Sequence, residues 1–304
     1  MQSVETLIII LHYGSVEDTL ECIASLQQFV RSSFDVMVIN TDSSPEAGST
    51  LRLQYPGVIY HDAGSGTGFA AGNNIGLEYS LKHGYRFSLL LNNDTVAEED
   101  FLQPIAELMT KEPRIAMAGP AIYHYSSKEQ LWSCGGWVNR WTGSMAGNRS
   151  LRNFRGAYED VDYLPGACIL LRNEALRVIG LMSEDYFLGV EEADFAIQAQ
   201  RHDFRVVACP GTRLLHKVGM SSRRTPEFIY NSFRNRFLFL RRQHGFLLRN
   251  LLITGVLLKN LFPWSPVGAL CFRAFIDHYK FQAIHRRHLE AIRADYQASS
   301  IPAL

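Results

Sequence analysis

Residues 87–94 read Phe87-Ser88-Leu89-Leu90-Leu91-Asn92-Asn93-Asp94, an apolar run of strand length that stops abruptly in three polar residues. A short continuous apolar run of this kind fits a strand buried on both faces. Similar runs occur at residues 7–11, 35–40, 57–60, 164–171 and 205–209, the last closed by Pro210-Gly211. Between the early ones lie helical patterns: Val16, Leu20, Ile23 and Leu26 recur at steps of three and four, and residues 73–83 form a second such segment. Residues 191–202 form a third. Strands alternating with helices at this spacing specify βαβ units and a mostly parallel sheet, so the fold class is α/β. Residues 120–160 change texture, with Trp132, Trp137, Trp141 and turn pairs such as Gly135-Gly136. They read as irregular strands and loops laid over one edge of the sheet.

The chain has 304 residues, 47% of them hydrophobic and 20% charged, enough to bury a real core. Its zero net charge hides an asymmetry. Residues 1–200 hold 13 Lys+Arg against 25 Asp+Glu, and residues 201–304 hold 17 against 5. An acidic body is thus followed by a basic tail suited to an anionic partner. From about Thr225 that tail is helical and aromatic, with Tyr230, Phe233, Phe237 and Leu240 at helical steps among Arg234, Arg236, Arg241 and Arg242. Residues 250–258 are apolar but too few to span a bilayer, and they fit an interfacial helix. Three regions are therefore expected: 1–119 and 120–224, the two halves of a catalytic domain, and 225–304, a basic amphipathic helical region. The five cysteines form no C-x-x-C pair, which argues against a disulfide framework or a zinc site. The first thirteen residues carry no basic leader, so the expected location is the cytoplasm, with peripheral contact on the inner face of the cell membrane.

In an open α/β sheet ligands bind beyond the carboxyl ends of the strands. Four polar stretches follow strands here: Asn40-Thr41-Asp42, the glycine run from Gly64 through Gly68 to Asn73, Asn92-Asn93-Asp94, and His216 after the last strand. Each taken singly could be a turn or a helix cap. Asp94, held at the end of a buried strand, suits a hard divalent cation that bridges phosphates, and His216 could add a nitrogen ligand. Gly66-Thr67-Gly68-Phe69-Ala70-Ala71 matches a dinucleotide fingerprint, but that motif belongs at the first βα turn and stands later here. Glu191, Glu192 and Asp194 crowd three carboxylates into four residues. They either favour a helix N-terminus or supply a general base whose pKa its like-charged neighbours raise.

With these residues in place, the chain resembles the family-2 inverting glycosyltransferases of the GT-A fold, particularly their bacterial rhamnosyltransferase-like branch. The similarity runs in order over residues 7–219. The family's opening strand and Tyr-containing turn look like residues 8–14, and its nucleotide-binding Asp-Asn-x-Ser turn looks like residues 40–44. Its glycine- and asparagine-rich element looks like residues 64–76, and its D-x-D variant like Asn92-Asn93-Asp94. The Gly-Ala-x-x-Leu-x-Arg strand is residues 166–172, the element with the catalytic base is residues 191–194, and the His-x-x-Gly element is residues 216–219.

The resemblance implies a nucleotide-diphospho-sugar transferase, a hexosyl- or rhamnosyltransferase, with a UDP- or dTDP-sugar donor. Tyr13, Asn40, Asp42, Gly68, Asn73, Asn92, Asn93 and Arg223 are the implied donor contacts. Asp94 and His216 are the implied ligands of Mn²⁺ or Mg²⁺. Glu192 is the implied base, with Glu191 as its rival and Asp194 beside them. Trp132 and Trp137 are expected on the acceptor side. The acceptor is a glycan or lipid-linked oligosaccharide in surface polysaccharide assembly. Two positions depart from the family pattern: Asn40 stands where the first nucleotide-contacting Asp is usual, and Glu192 where the base is usually Asp. The basic tail would face an anionic membrane or a second copy of the chain in a homodimer, not nucleic acid. A nucleotidyltransferase would carry a basic loop after the first strand, whereas no Lys or Arg precedes Arg31. A non-catalytic glycan-binding or membrane scaffold would be signalled by loss of Asp94 or Glu192, and both are present.

Overall fold

The computed structural model describes residues 5–42, 45–148, 150–218, 225–261 and 266–280. The first half alternates as the apolar runs require. β1 (Thr6–His12), α1 (Val16–Phe29), β2 (Phe34–Asn40), α2 (Pro45–Gln54), β3 (Ile59–Asp62), α3 (Phe69–His83) and β4 (Phe87–Asn92) follow one another. Then come β5 (Thr95–Val96), α4 (Leu102–Lys111), β6 (Ile115–His124), β7 (Ser127–Ser133), β8 (Gly136–Asn139), β9 (Ser144–Gly147) and β10 (Glu159–Asp160). β11 (Cys168–Arg172), α5 (Asn173–Ile179), α6 (Glu191–Arg201) and β12 (Arg205–His216) close the α/β part, and α7 (Pro226–Gln243), α8 (Phe246–Leu261) and α9 (Pro266–Lys280) follow. Two compact units result. The first comprises Met1–Trp137, Ala146–Glu184 and Glu191–Val218; the second comprises Val138–Met145, Asp185–Val190 and Gly219–Leu304.

In the first unit the main path of the sheet runs β10-β12-β6-β11-β4-β1-β2-β3. β3, β2, β1 and β4 are mutually parallel, β11 is antiparallel between β4 and β6, and β6 and β12 run parallel. Pleating sends alternate residues to opposite faces. Along β1, Ile8 and Ile10 join a core with α1, α2 and α4, while Leu7, Ile9 and Leu11 join another with α3, α5 and α6. This three-layer arrangement explains why β1 is apolar at every position from Leu7 to Leu11. α1 starts where Ser15 accepts the Asp18 N–H at 3.2 Å, an N-cap with acidic residues in the first turn. α3 ends at Gly84, whose φ of +78° suits a residue without a side chain. α3 also packs very closely on β1. A Cβ on Gly76 would lie 2.6 Å from Ile9 Cγ2.

Three elements differ from the sequence reading. α3 begins at Phe69, not Asn73, so the glycine loop closes at Gly68. β12 continues through Pro210-Gly211 to His216, because a register shift between Cys209 and Arg213 accommodates the interruption as a bulge. β6 and β7 pair antiparallel with two register shifts, so the stretch read as irregular strands extends the main sheet.

The second unit is helical. Tyr230, Phe237 and Leu240 of α7 are buried with Ile253 and Val256 of α8 and Leu270, Cys271 and Ala274 of α9. Among the described residues no helix is long and apolar enough to cross a membrane.

Gly76→Val should therefore destabilise the first unit by about 1–3 kcal/mol, the usual cost of overpacking a filled core. A lowered urea midpoint, followed by a probe in the α/β unit, checks this.

Candidate active site

The strand ends are assembled by main-chain bonds, which makes their placement rigid. β5 pairs with the end of β12, setting Thr95 opposite His216, and the Lys217 N–H donates to the Asp94 carbonyl at 2.9 Å. His216 Nε2 lies 3.0 Å from Asp94 Oδ1. That contact is close yet lacks hydrogen-bond alignment, and neither ring nitrogen of the buried His216 has a hydrogen-bond partner. Trp132 meets the imidazole edge-on, with ring centroids 4.7 Å apart. Lys217, the next residue, is anchored on α1 through Asp18 and through Glu21 at 2.6 Å. Asp94 does not cap α4, which begins at Leu102.

An oxygen and an unpaired imidazole nitrogen on neighbouring backbone segments fit a divalent cation, and mixed N/O ligation suits Mn²⁺ as well as Mg²⁺. Among the described residues no group of three His, Cys, Asp or Glu converges as a complete metal cage. The remaining ligands of an ion at Asp94 and His216 would be substrate oxygens and water.

The carboxylates of α6 reach the same edge by a different route. The Asn92 N–H donates to the Ala167 carbonyl at 3.0 Å, tying the end of β4 to the segment before β11. The adjacent Gly166 main chain stands close enough to the Glu192 carboxylate to favour its charged form, against the larger opposing effect of burial. Gly166 cannot be larger here, since a Cβ would lie 2.8 Å from the ring of Phe69, the first residue of α3. The end of β4, the start of α3 and the start of α6 thus meet around Gly166 and Ala167. Burial pushes the Glu192 carboxyl above the ordinary carboxylate range, and Glu192 Oε2 is buried without a hydrogen-bond partner. Glu191 and Asp194 are each only 2% exposed. Glu192 is the half-buried member of the three.

Several of the residues expected to contact the donor also bond within the fold. Asn93 donates to the Tyr13 carbonyl at 3.2 Å and to Thr19 Oγ1 at 3.0 Å. Thr19 also meets Nδ1 of the buried His12 at 2.7 Å, and burial lowers the His12 pKa and keeps its ring neutral near pH 7. Asn40 is buried and its Oδ1 accepts the Asp42 N–H at 3.1 Å, while Asp42 Oδ2 accepts the Gly14 N–H at 3.1 Å. These bonds lock the turns after β1 and β2 together and leave the Tyr13 side chain exposed. Gly68 ends the glycine loop at the N-cap of α3. Asn73 donates to the Phe69 carbonyl at 3.0 Å, with its buried Oδ1 unpaired. Asn92 is half-buried at the end of β4. Trp137 is 53% exposed, its Nε1 donating to Asn148 Oδ1 at 3.1 Å. Arg223 lies outside the described residues. The sequence reading passed over Asn74, whose amide clamps the main chain of Met182 and the Glu184 carboxylate at 2.9–3.1 Å. It also passed over Gly166 as the neighbour of Glu192, although the glycine itself stood within a quoted motif.

An open α/β sheet with carboxylates and an imidazole at its strand ends belongs to the GT-A class of glycosyltransferase folds, and solved structures agree. GalNAc-T7 with UDP, GalNAc and Mn²⁺ matches over 99% of this chain, with a TM-score of 0.65 and 13% identity; the chain spans 59% of that protein. The mannosyltransferase PcManGT from Pyrobaculum calidifontis, in complex with GDP-Man and Mn²⁺, matches over 97% of this chain and 80% of its own, with a TM-score of 0.54 and 13% identity. Residues 7–180 match glycosyl transferase family 2, and the chain belongs to that family. Among curated relatives, the low-salt glycan biosynthesis hexosyltransferase Agl10 of Haloferax volcanii is 27% identical over 239 residues, 76% of this chain and 74% of its own. The dTDP-rhamnosyl transferase RfbF of Shigella flexneri is 22% identical over 190 residues, 60% of this chain and 62% of its own.

The raised carboxyl pKa of Glu192 has a thermodynamic consequence. The folded state holds a proton there that the unfolded chain has already released, so Glu192 subtracts stability as pH rises above the ordinary carboxylate range. Glu192→Gln should melt higher than the parent at pH 8, and the gap should close at pH 4. Thermal melts of both proteins across that interval test the sign.

Proposed function

We propose that this family-2 glycosyltransferase inverts the anomeric centre, using a divalent cation on Asp94 and His216 and Glu192 as the base. The observation that carries this reading is the Gly166–Ala167 junction. The main chain of one residue stands against the Glu192 carboxylate, and the next bonds the end of the strand that leads to Asp94. The nucleotide would lie over the turns after β1 and β2, where Tyr13 and Asp42 stand. When bound, the cation supplies Lewis-acid stabilisation of the charge that develops on the departing diphosphate. Asp94 and His216 fix where the diphosphate sits, and the β5–β12 pairing fixes them. Glu192 accepts the proton of the acceptor hydroxyl. That oxygen forms its bond to the anomeric carbon on the face opposite the diphosphate, while the carbon–diphosphate oxygen bond breaks with its electron pair. The transition state is oxocarbenium-like, as in glycoside hydrolysis. Arg223, beyond His216 in the chain, is the proposed phosphate contact. Trp132 and Trp137 are proposed on the acceptor side, with Trp132 also packing on His216.

The proposed donor is a UDP- or dTDP-sugar and the proposed acceptor a glycan or lipid-linked oligosaccharide in bacterial surface polysaccharide assembly; the dTDP-rhamnosyl transferase RfbF, GalNAc-T7 with UDP and the glycan biosynthesis enzyme Agl10 support the nucleotide and the glycan. A thermal-shift panel of UDP-, dTDP- and GDP-sugars with Mn²⁺, Mg²⁺ or EDTA should show metal-dependent stabilisation by one nucleotide class. Asp94→Ala should abolish that shift. Glu192→Gln should keep it while turnover falls by about 10²–10⁴-fold, the usual contribution of a general base. Turnover near that of the parent in Glu192→Gln would move the role to Glu191 or Asp194.

The helical unit supports the proposal of peripheral membrane contact on the cytoplasmic side. α8 exposes Leu247 (82%), Leu251 (70%) and Leu258 (64%) along one face, and it carries Arg249 and Lys259 but no acidic residue. Large apolar side chains flanked by cations suit an anionic lipid surface. α7 contributes less than its composition suggests, because Tyr230, Phe237 and Phe239 are buried and Arg234 and Arg236 donate to main-chain carbonyls. The protein should sediment with phosphatidylserine-containing vesicles at low salt, and Leu247→Glu with Leu251→Glu should leave it in the supernatant. A concentration-dependent dimer lost with the same pair of substitutions would instead place a second copy on that face.

A further inference from the structure

Residues 185–190 lead directly into α6, and side chains of α7 grip them. Arg234 Nη1 donates to the Asp185 carbonyl at 2.8 Å. Asn235 Nδ2 donates to the carbonyls of Leu188 at 2.9 Å and Gly189 at 2.7 Å. Arg234 Nη1 also donates to Asn235 Oδ1 at 3.2 Å, which fixes the amide with its NH₂ toward those carbonyls. Arg242 Nη1 lies 2.9 Å from the Asp185 carboxylate. Arg234 is 5% exposed and Asn235 is fully buried. Polar groups so placed are costly unless their hydrogen bonds are made, and here several of those bonds go to the main chain of one short segment.

That segment needs holding. Gly189 and Val190 both have φ of +84°. For a β-branched residue this is a genuine outlier that persists only where the surroundings enforce it. The residue after Val190 is Glu191, and the next is Glu192.

We infer that Arg234 and Asn235 are positioning residues for sugar transfer. By fixing the carbonyls of 185, 188 and 189 they hold the left-handed turn at Gly189–Val190, the residues bonded directly to the Glu191-Glu192 pair. Neither side chain is assigned contact with the reacting atoms. The inference rests on the reading of Glu192 as the base. It gives the buried arginine of a basic, aromatic helix an intramolecular purpose in place of a lipid-facing one.

The decisive variant is Asn235→Ala, read by a kcat-against-KM split together with hydrogen exchange. At saturating donor, kcat should fall 10- to 100-fold. The donor KM and the nucleotide-induced thermal shift should stay within two-fold of the parent, and amides 186–192 should exchange faster while those of β1 and β4 do not. Asn235→Ser, which keeps one donor, should recover part of the rate. Arg242→Gln removes the ion pair with Asp185 and the cation over the Tyr186 ring, and serves if Asn235→Ala does not fold; its kcat should fall two- to five-fold with local exchange accelerated. An unchanged kcat in the folded variants overturns the inference. So does loss of donor affinity in step with kcat, which would indicate general damage. If the parent transfers no sugar from any donor, the assignment of the base fails independently. The grip is then judged by exchange alone: acceleration confined to 186–192 upholds it, and unchanged exchange overturns it.

Discussion

Two short main-chain contacts decide where the two proposed metal ligands stand: the pairing of Thr95 with His216, and the Lys217 N–H on the Asp94 carbonyl. Asp94 leaves a central strand, whereas His216 ends a strand beyond β11 and β6 in the sheet. Nothing in their own side chains would bring them together. The bulge at Pro210-Gly211 makes the approach possible, because it lets β12 resume pairing with β6 and run on to His216 rather than ending at Cys209. Lys217 then holds the end of β12 on α1 through two carboxylates. Removing the bulge would shorten the strand before it reached the site.

The same bulge explains what the sequence hides. β6 contains Gly119-Pro120, a pair that ordinarily argues against an interior strand, since proline cannot donate to the ladder. In the structure Pro120 lies opposite Cys209, at the point where the register breaks, so its missing N–H falls where pairing is already interrupted. Two irregularities on neighbouring strands excuse each other, and neither can be anticipated from one segment alone. The parallel strands β1, β2 and β4 were legible because burial on both faces leaves an unbroken apolar run. The start of α3 was not, because Phe69-Ala70-Ala71-Gly72 looks like loop until its glycines are seen against Leu11 and Ile9.

The site shows the same division. Which strand ends carry polar residues could be read from sequence, and so could the carboxylate cluster on α6. The division of labour within each cluster could not. Asn92 and Asn93 are adjacent and chemically identical, yet Asn93 is committed to Tyr13 and Thr19 while Asn92 stands half-buried at the strand end. Asn73 and Asn74 differ in the same way, Asn74 clamping Met182 and Glu184. Periodicity reports burial of a face, not the partner of an amide. An arginine inside a helical unit is likewise indistinguishable by pattern from a solvated one, which is why Arg234 reads as surface charge until its partners are known.

Glu192 and Val190 together indicate how the protein reconciles reactivity with order. In the proposed role of base, Glu192 needs a proton affinity above that of an ordinary carboxylate, and burial raises it at a cost in stability. The cost is tolerable only if the carboxylate cannot relax toward water, since a small rotation of α6 would hydrate it and return it to an ordinary acid. The Gly166 main chain stands against the carboxylate, and the left-handed turn at Gly189–Val190 immediately precedes the helix that carries it. A left-handed valine is a poor choice for a turn whose only task is to connect two segments, and glycine would adopt it freely. Its presence is consistent with a turn enforced from outside, where conformational freedom would weaken the aim of the next two residues.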